Sequence, residues 1–243
     1  MVVVVVVVLG LLAVSAAPSV QSTSPVATPE NLVGQLVSLN DPDPAVRDAA
    51  RRHILSLHLD DLPRLVRAVE ALPEAAAKSA ATRLVLRDAV EHIYIRDAKL
   101  RLLELRESGG RGGPFLGILR SYGELNGVMV RRVWPGFIAY ETLEDGDVLV
   151  GLRTEAGVAR IRDFEDLTSA FYGLSPGDAV ELVVVRSGRV LQIPLLLDER
   201  VEDTDPEWAR ARPGARVEAE AFWTEQLAPL LQDRAGSSAS SDD

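Results

Sequence analysis

From Glu30 to Glu107 the apolar residues recur at steps of three and four, the spacing that lines one face of a helix. Leu32, Leu36 and Leu39 mark a first segment. Val46, Ala49, Ala50, Ile54 and Leu57 mark a second, after Asn40-Asp41-Pro42-Asp43-Pro44. There Asp43 is placed to cap a helix, with Pro44 at the first helical position, where a missing N–H costs nothing. Leu62, Leu65, Val66, Val69 and Leu72 predict a third helix, closed by Pro73. Glu74 to Glu107 contains neither Gly nor Pro, and its stripe of Leu86, Ala89, Ile93, Leu100 and Leu103 is interrupted by Arg96. That pattern fits one long helix or two.

The helical period ends at Ser108-Gly109-Gly110-Arg111-Gly112-Gly113-Pro114, which marks a domain boundary. Beyond it, β-type runs cover Leu116–Leu119, Gly127–Val133, Asp147–Leu152, Val158–Ile161, Ala179–Arg186 and Arg189–Leu197. Ser187-Gly188 between the last two is a hairpin signal. A helix is predicted over Asp163–Tyr172. The chain ends in an acidic tail, residues 201–243. This tail is Pro-broken as far as Pro213 and helical in spacing from Val217 to Leu231, with Phe222, Trp223, Leu227 and Leu230 on the pattern and Pro229 to limit or kink it. Gly236 to Asp243 is predicted to be disordered.

Two resemblances follow from these runs. SLNDPDPAVRDAARRHILSL resembles one helix-turn-helix unit of HEAT-type repeats, with an ordinary small helical bundle as the alternative for residues 30–107. Residues 114–197 resemble a PDZ domain of the bacterial, HtrA-like arrangement. Phe115-Leu116-Gly117-Ile118 resembles that family's carboxylate-binding loop. Gly127-Val128-Met129-Val130 through Pro135-Gly136 resembles its second strand and exit. Leu143-Glu144-Asp145-Gly146-Asp147-Val148-Leu149 resembles its Leu-x-x-Gly-Asp segment, Asp166-Leu167 with Ala170-Phe171 its groove helix, and Pro176-Gly177-Asp178 the turn after it. The sequence departs from the family at Phe137-Ile138-Ala139-Tyr140, where small residues are usual, and at Gly151–Gly157, where a short turn is usual.

The resemblance implies a fold of α+β class: an N-terminal α-helical region, then a PDZ-like β-sandwich or partly open barrel with a groove helix, over residues 108–200. It also implies a site. Gly117 lets consecutive N–H groups near Phe115, Leu116 and Gly117 point at one anion, and the strand Ile118-Leu119-Arg120 offers an open edge to an extended peptide. Leu167, Thr168 and Phe171 are the candidates for groove lining, although Phe164, Leu167 and Phe171 at helical spacing would equally serve a core, and Ile118 both. Arg111 and Arg120 can add charge near a bound carboxylate; the alternative is that both are simply solvated.

Composition narrows the function. The chain has 243 residues and a net charge of −10, which opposes the concentrated basic field that nucleic acid requires. Its first 17 residues are apolar and end at Ser15-Ala16-Ala17, a secretory signal peptide pattern lacking only the basic n-region; an uncleaved N-terminal anchor is the alternative and the sole expected membrane contact. Residues 18–29 read as a linker rich in Pro, Ser and Thr. There is no cysteine, which removes thiolate chemistry.

Catalytic and metal motifs are not evident. His53 and His58 stand five apart, off the i, i+4 register of helical metal ligands, and no Gly-x-Ser-x-Gly segment accompanies them or His92. Asp145 and Asp147 flank Gly146, and Asp41 and Asp43 flank Pro42, as turn and cap residues do. The expectation is therefore an exported, secreted or periplasmic, non-catalytic adaptor without a cofactor that binds protein C-termini or extended peptides. One alternative is an accessory factor delivering substrates to a separate protease. Another is a structural module whose groove is filled by its own tail, Val217–Leu231.

Overall fold

Asp43 Oδ1 accepts a hydrogen bond from the Ala45 N–H at 2.9 Å, and Pro44 occupies the first helical position, so the chain turns directly into a helix there. The computed structural model describes residues 29–105, 112–120, 126–201 and 205–236. The leader, the linker up to Pro29, Arg111 and the last seven residues lie outside them. The helical layer comprises α1 (Pro29–Ser38), α2 (Pro44–Leu55), a 3-10 turn at Leu59–Asp61, α3 (Leu62–Glu70), α4 (Glu74–Ala77) and α5 (Ala80–Leu105). The Gly- and Pro-free stretch thus forms two helices. Asn40, in the turn after α1, receives a hydrogen bond from Ser79 at the break and donates to Thr82 Oγ1 at 3.0 Å, fixing where α5 begins. Leu32, Leu36, Ile54, Leu65 and Leu86 are fully buried in one shared core.

The β unit carries β1 (Pro114–Phe115), β2 (Ile118–Arg120), β3 (Val128–Val133), α6 (Ala139–Thr142), β4 (Val148–Thr154), β5 (Gly157–Arg160), α7 (Phe164–Ala170), β6 (Ala179–Arg186), β7 (Arg189–Leu196) and β8 (Asp198–Glu199). Its main sheet is antiparallel in the order β2-β3-β4-β6-β7, with β5 also paired to β4; β1 and β8 form a separate ribbon. The sheet is open, so the α+β expectation holds and closure into a barrel does not occur. Val128, Val130, Leu149, Leu152, Leu182 and Val184 alternate inward, under Leu116, Leu143 and Leu167. At the outer strand β7, Pro194 stands opposite Glu181. Counted from the two-residue turn at Ser187-Gly188, that is a non-bonded pair, so the missing N–H falls on the outer edge.

The acidic turn before β4 is held by more than local bonds. Asp147 is buried, accepts the Glu144 N–H at 2.9 Å, and forms a bidentate pair with Arg186 of β6, 2.8 Å from Nε and 2.7 Å from Nη2. Arg186 also reaches Glu144 Oε1 at 2.7 Å and the Thr142 carbonyl at 2.9 Å.

The tail differs from expectation. It is helical from Pro206, through α8 (Pro206–Phe222), a π-helical turn at Trp223–Leu227 and α9 (Ala228–Gly236). Asp205 Oδ1 accepts the N–H groups of Glu207 and Trp208 at 2.9 and 3.1 Å, with Pro206 first in the helix. Pro213 is exposed and is passed without a break. Before Pro229 the ladder widens, the Ala228 N–H donating to the Trp223 carbonyl five residues back. Trp208 and Ala215 pack with Ile95, Leu102 and Val201, while Ala219, Leu227 and Leu231 join the core of the helical layer. The described tail is thus spent on the helices, which corrects the idea that it fills a groove of the β unit.

Candidate functional site

The loop between β1 and β2 is bent by Gly117, whose φ is +76°. A Cβ there would stand 2.3 Å from Phe137 Cβ, so the backbone lies directly on that ring. Phe115 meets Phe137 edge-on at 5.2 Å and Trp134 at 6.0 Å, with Arg200 over its face at 5.6 Å. Leu116 is buried in the sheet core and Ile118 packs half-buried against it, while Leu119 is 48% exposed. Phe115 and Leu116 therefore anchor the loop, and the solvent-facing side chain of this group is Leu119.

Backbone register sets what β2 can do. The Trp134 N–H donates to the Gly117 carbonyl at 2.8 Å, and Ile118 and Leu119 lie opposite Val133 and Arg132. In an antiparallel ladder successive residues alternate in direction, so the Gly117 carbonyl and both backbone groups of Leu119 face β3 and those of Ile118 face away. Among the described residues β3 is the sole strand neighbour of β2. Among the described residues, nothing pairs with this outward N–H and C=O beside the Gly117 bend. Arg120 closes the strand across a register shift between Leu119 and Arg120; its side chain, like Arg111, lies outside the described residues.

On α7, Asp163 Oδ1 caps the helix by accepting the Asp166 N–H at 2.9 Å. Leu167 is buried in the sheet core and Phe171 half-buried against it. Thr168 is exposed, its hydroxyl donating to the Phe164 carbonyl at 2.9 Å. Phe164, expected to turn inward, is 39% exposed because it opens the helix at the outer end. Leu167 and Phe171 thus belong first to the core, and Thr168 is the candidate that faces solvent.

Behind the loop lies a buried polar seam that patterning did not single out. His92 of α5 is fully buried, stacked on Tyr140 at 5.0 Å. Its Nδ1 accepts the Gly136 N–H at 2.9 Å, so the ring proton of the neutral form sits on Nε2, 3.2 Å from Glu141 Oε1. Arg96 donates to the same oxygen at 2.5 Å and to the Leu57 carbonyl. Lys99, 1% exposed, donates to Asp198 Oδ1 at 2.5 Å and lies 4.4 Å from the centre of the Phe137 ring. Asp198 Oδ2 in turn accepts the Ile138 N–H at 2.5 Å. His92, Arg96 and Lys99 follow the i, i+4, i+7 step, the one signal in the sequence for a polar face on α5.

Burial pushes His92 below the ordinary imidazole value of 6.5 and outweighs the pull of Glu141. Burial would raise Glu141, but the His92 hydrogen bond and the Arg96 charge bring it below 4.5. Both groups bind protons more readily in the unfolded chain, so stability is fully present above about pH 6.5 and is lost as pH falls. Urea midpoints should therefore drop between pH 7 and pH 4. His92→Asn should flatten the part of the decline that begins near pH 6.5, and an unchanged profile in that variant would count against this assignment.

The other histidines are on separate elements, His53 in the last turn of α2 and His58 exposed at the 3-10 turn. Among the described residues no three His, Cys, Asp or Glu side chains gather as metal ligands. No helix of the described residues is long and apolar enough to cross a membrane.

No protein-family model and no curated protein matches the sequence. Two solved structures of the HtrA-type protease AlgW with a decapeptide, one of them a single-site variant, are similar to part of the chain. The variant is 18% identical over 44% of this chain, the other 21% over 43%, each with a TM-score of 0.34. The match takes in 35% of the AlgW chain in both cases, so it leaves out most of that protease. The likeness is partial.

Proposed function

We propose that the chain is an exported, non-catalytic adaptor whose β unit works as a PDZ-like peptide binder. It takes protein C-termini or extended segments by strand addition onto β2. The observation that carries this reading is the outward-facing N–H and C=O of Ile118 on an edge unpaired among the described residues, one residue beyond the positive-φ bend at Gly117. An added strand would draw affinity from main-chain hydrogen bonds, and the terminal carboxylate would sit at the bend against backbone N–H groups of Leu116 and Gly117. Leu119 and Thr168, both exposed, would be the side chains that meet the ligand. The export component rests on the apolar leader of the first 17 residues.

The test is a binding screen of the full chain against ten-residue peptides with free C-termini. Selected peptides should bind at least about tenfold more weakly once their carboxylate is amidated, a difference of about 1.4 kcal/mol. Selection of no peptide, or equal binding of acid and amide forms, would remove the C-terminal reading.

A further inference from the structure

We propose that His92 and Lys99 of α5 are positioning residues for the Phe115–Ile118 loop, so that the helical layer holds the peptide site of the β unit in its binding shape. What the loop binds rests on the function proposed above; the clamp itself does not.

The clamp has two arms. In the first, His92 Nδ1 takes the Gly136 N–H at the Pro135-Gly136 corner. Gly136 has φ +87°, and a Cβ there would come within 2.6 Å of Ile95 Cγ2, so only glycine lets the corner lie flat on α5. The next residue, Phe137, is the ring on which Gly117 rests. In the second arm, Lys99 holds Asp198, and Asp198 holds the Ile138 N–H. Asp198 also pairs through β8 with Phe115 of β1. The two arms meet under the loop: Lys99 lies over Phe137, and Phe137 packs against Phe115.

General packing does not require this arrangement. An apolar contact would cover the same surface without burying an imidazole, a lysine and a carboxylate and half-burying a second carboxylate. What directional bonds add is a fixed placement of one element on another. The Arg96 bond to the Leu57 carbonyl stays within the helical layer; the other bonds of the seam reach Gly136, Ile138, Glu141 or Asp198 in the β unit, and among the described residues none ends on the β6–β7 hairpin. Loosening the seam should therefore free the loop and leave the hairpin as it is.

Amide hydrogen exchange in the full chain tests this, comparing Trp134, whose N–H bonds the Gly117 carbonyl at the loop, and Leu119, whose N–H faces β3, with Val183 and Leu191 of the hairpin. His92→Leu removes the acceptor for Gly136, and Lys99→Met removes the ammonium at nearly constant volume. Each should raise loop exchange at least about tenfold with hairpin rates unchanged. His92→Asn, which can place an oxygen near the site of Nδ1, should restore the wild-type loop rate. Loop rates equal to wild type would overturn the proposal, as would a rise of the same factor in loop and hairpin. Should His92→Leu fail to fold, Lys99→Met decides by the same comparison.

The ten-residue peptides are then titrated against wild type and variants. If none binds wild type, the binding function falls while the exchange data still judge the clamp. If loop exchange rises but affinity stays at the wild-type value, the clamp does not set the binding shape and the proposal fails.

Discussion

Replacing Asp147 with Ala is expected to lower the unfolding free energy by about 3 kcal/mol, because removing one member of a buried ion pair leaves the other charge poorly compensated. Arg186 has only a tenth of its side chain exposed, and it would keep just Glu144 and the Thr142 carbonyl. The loss is directional as well as electrostatic. Asp147 ties the turn to β6 through two parallel bonds and pins the Glu144 N–H, so its removal frees the entry into β4. Asp147→Asn keeps the shape and one acceptor, and it should cost less than Ala. Urea unfolding of both variants checks the order; a loss under about 1 kcal/mol for Ala would show the pair to be energetically idle.

Trp208→Ala is expected to cost about 3 to 5 kcal/mol, the range for emptying a large buried aromatic site. Trp208 is 1% exposed and packs with Ile95 and Leu102 of α5, Val201 after β8 and Ala215 of its own helix. Truncating it would leave α8 held there by alanine and by exposed ion pairs such as Arg216–Glu91 and Arg87–Glu220, which contribute little. Limited proteolysis should then release fragments cut between Pro206 and Gly236, a stretch expected to resist in wild type. Unchanged stability and an unchanged digest would mean that the tail helix is not part of the cooperative fold.

The strand and helix pattern of the β unit was legible because period-two runs, the Ser187-Gly188 turn and the Asp163 cap are local signals. The hairpin 179–196 and α7 fall within a residue or two of their expected bounds. The tail was legible only from Val217 on, although Asp205-Pro206 repeats the cap-and-proline signal that located α2 at Asp43-Pro44. Pro213 and Pro229 argued against a long helix. Tertiary burial of Trp208, Leu227 and Leu231 outweighs them, with Pro213 turned to solvent and a widened turn ahead of Pro229. At the candidate site, sequence named the loop but not its support. Arg96 read as an interruption in an apolar stripe, yet it belongs to the face that meets Glu141. Asp147 read as a local turn residue, and its partner is 39 positions away. Such pairings depend on which elements meet in three dimensions, and no local period encodes that.

Pro194 limits how copies of the chain can associate. Two molecules that joined through their β2 edges would turn β7 and the short β5 outward, and a strand arriving at β7 would find no N–H at the proline. Edge-to-edge growth along β7 is therefore disfavoured. The proline thus makes β2 the more receptive of the two outer edges of the sheet.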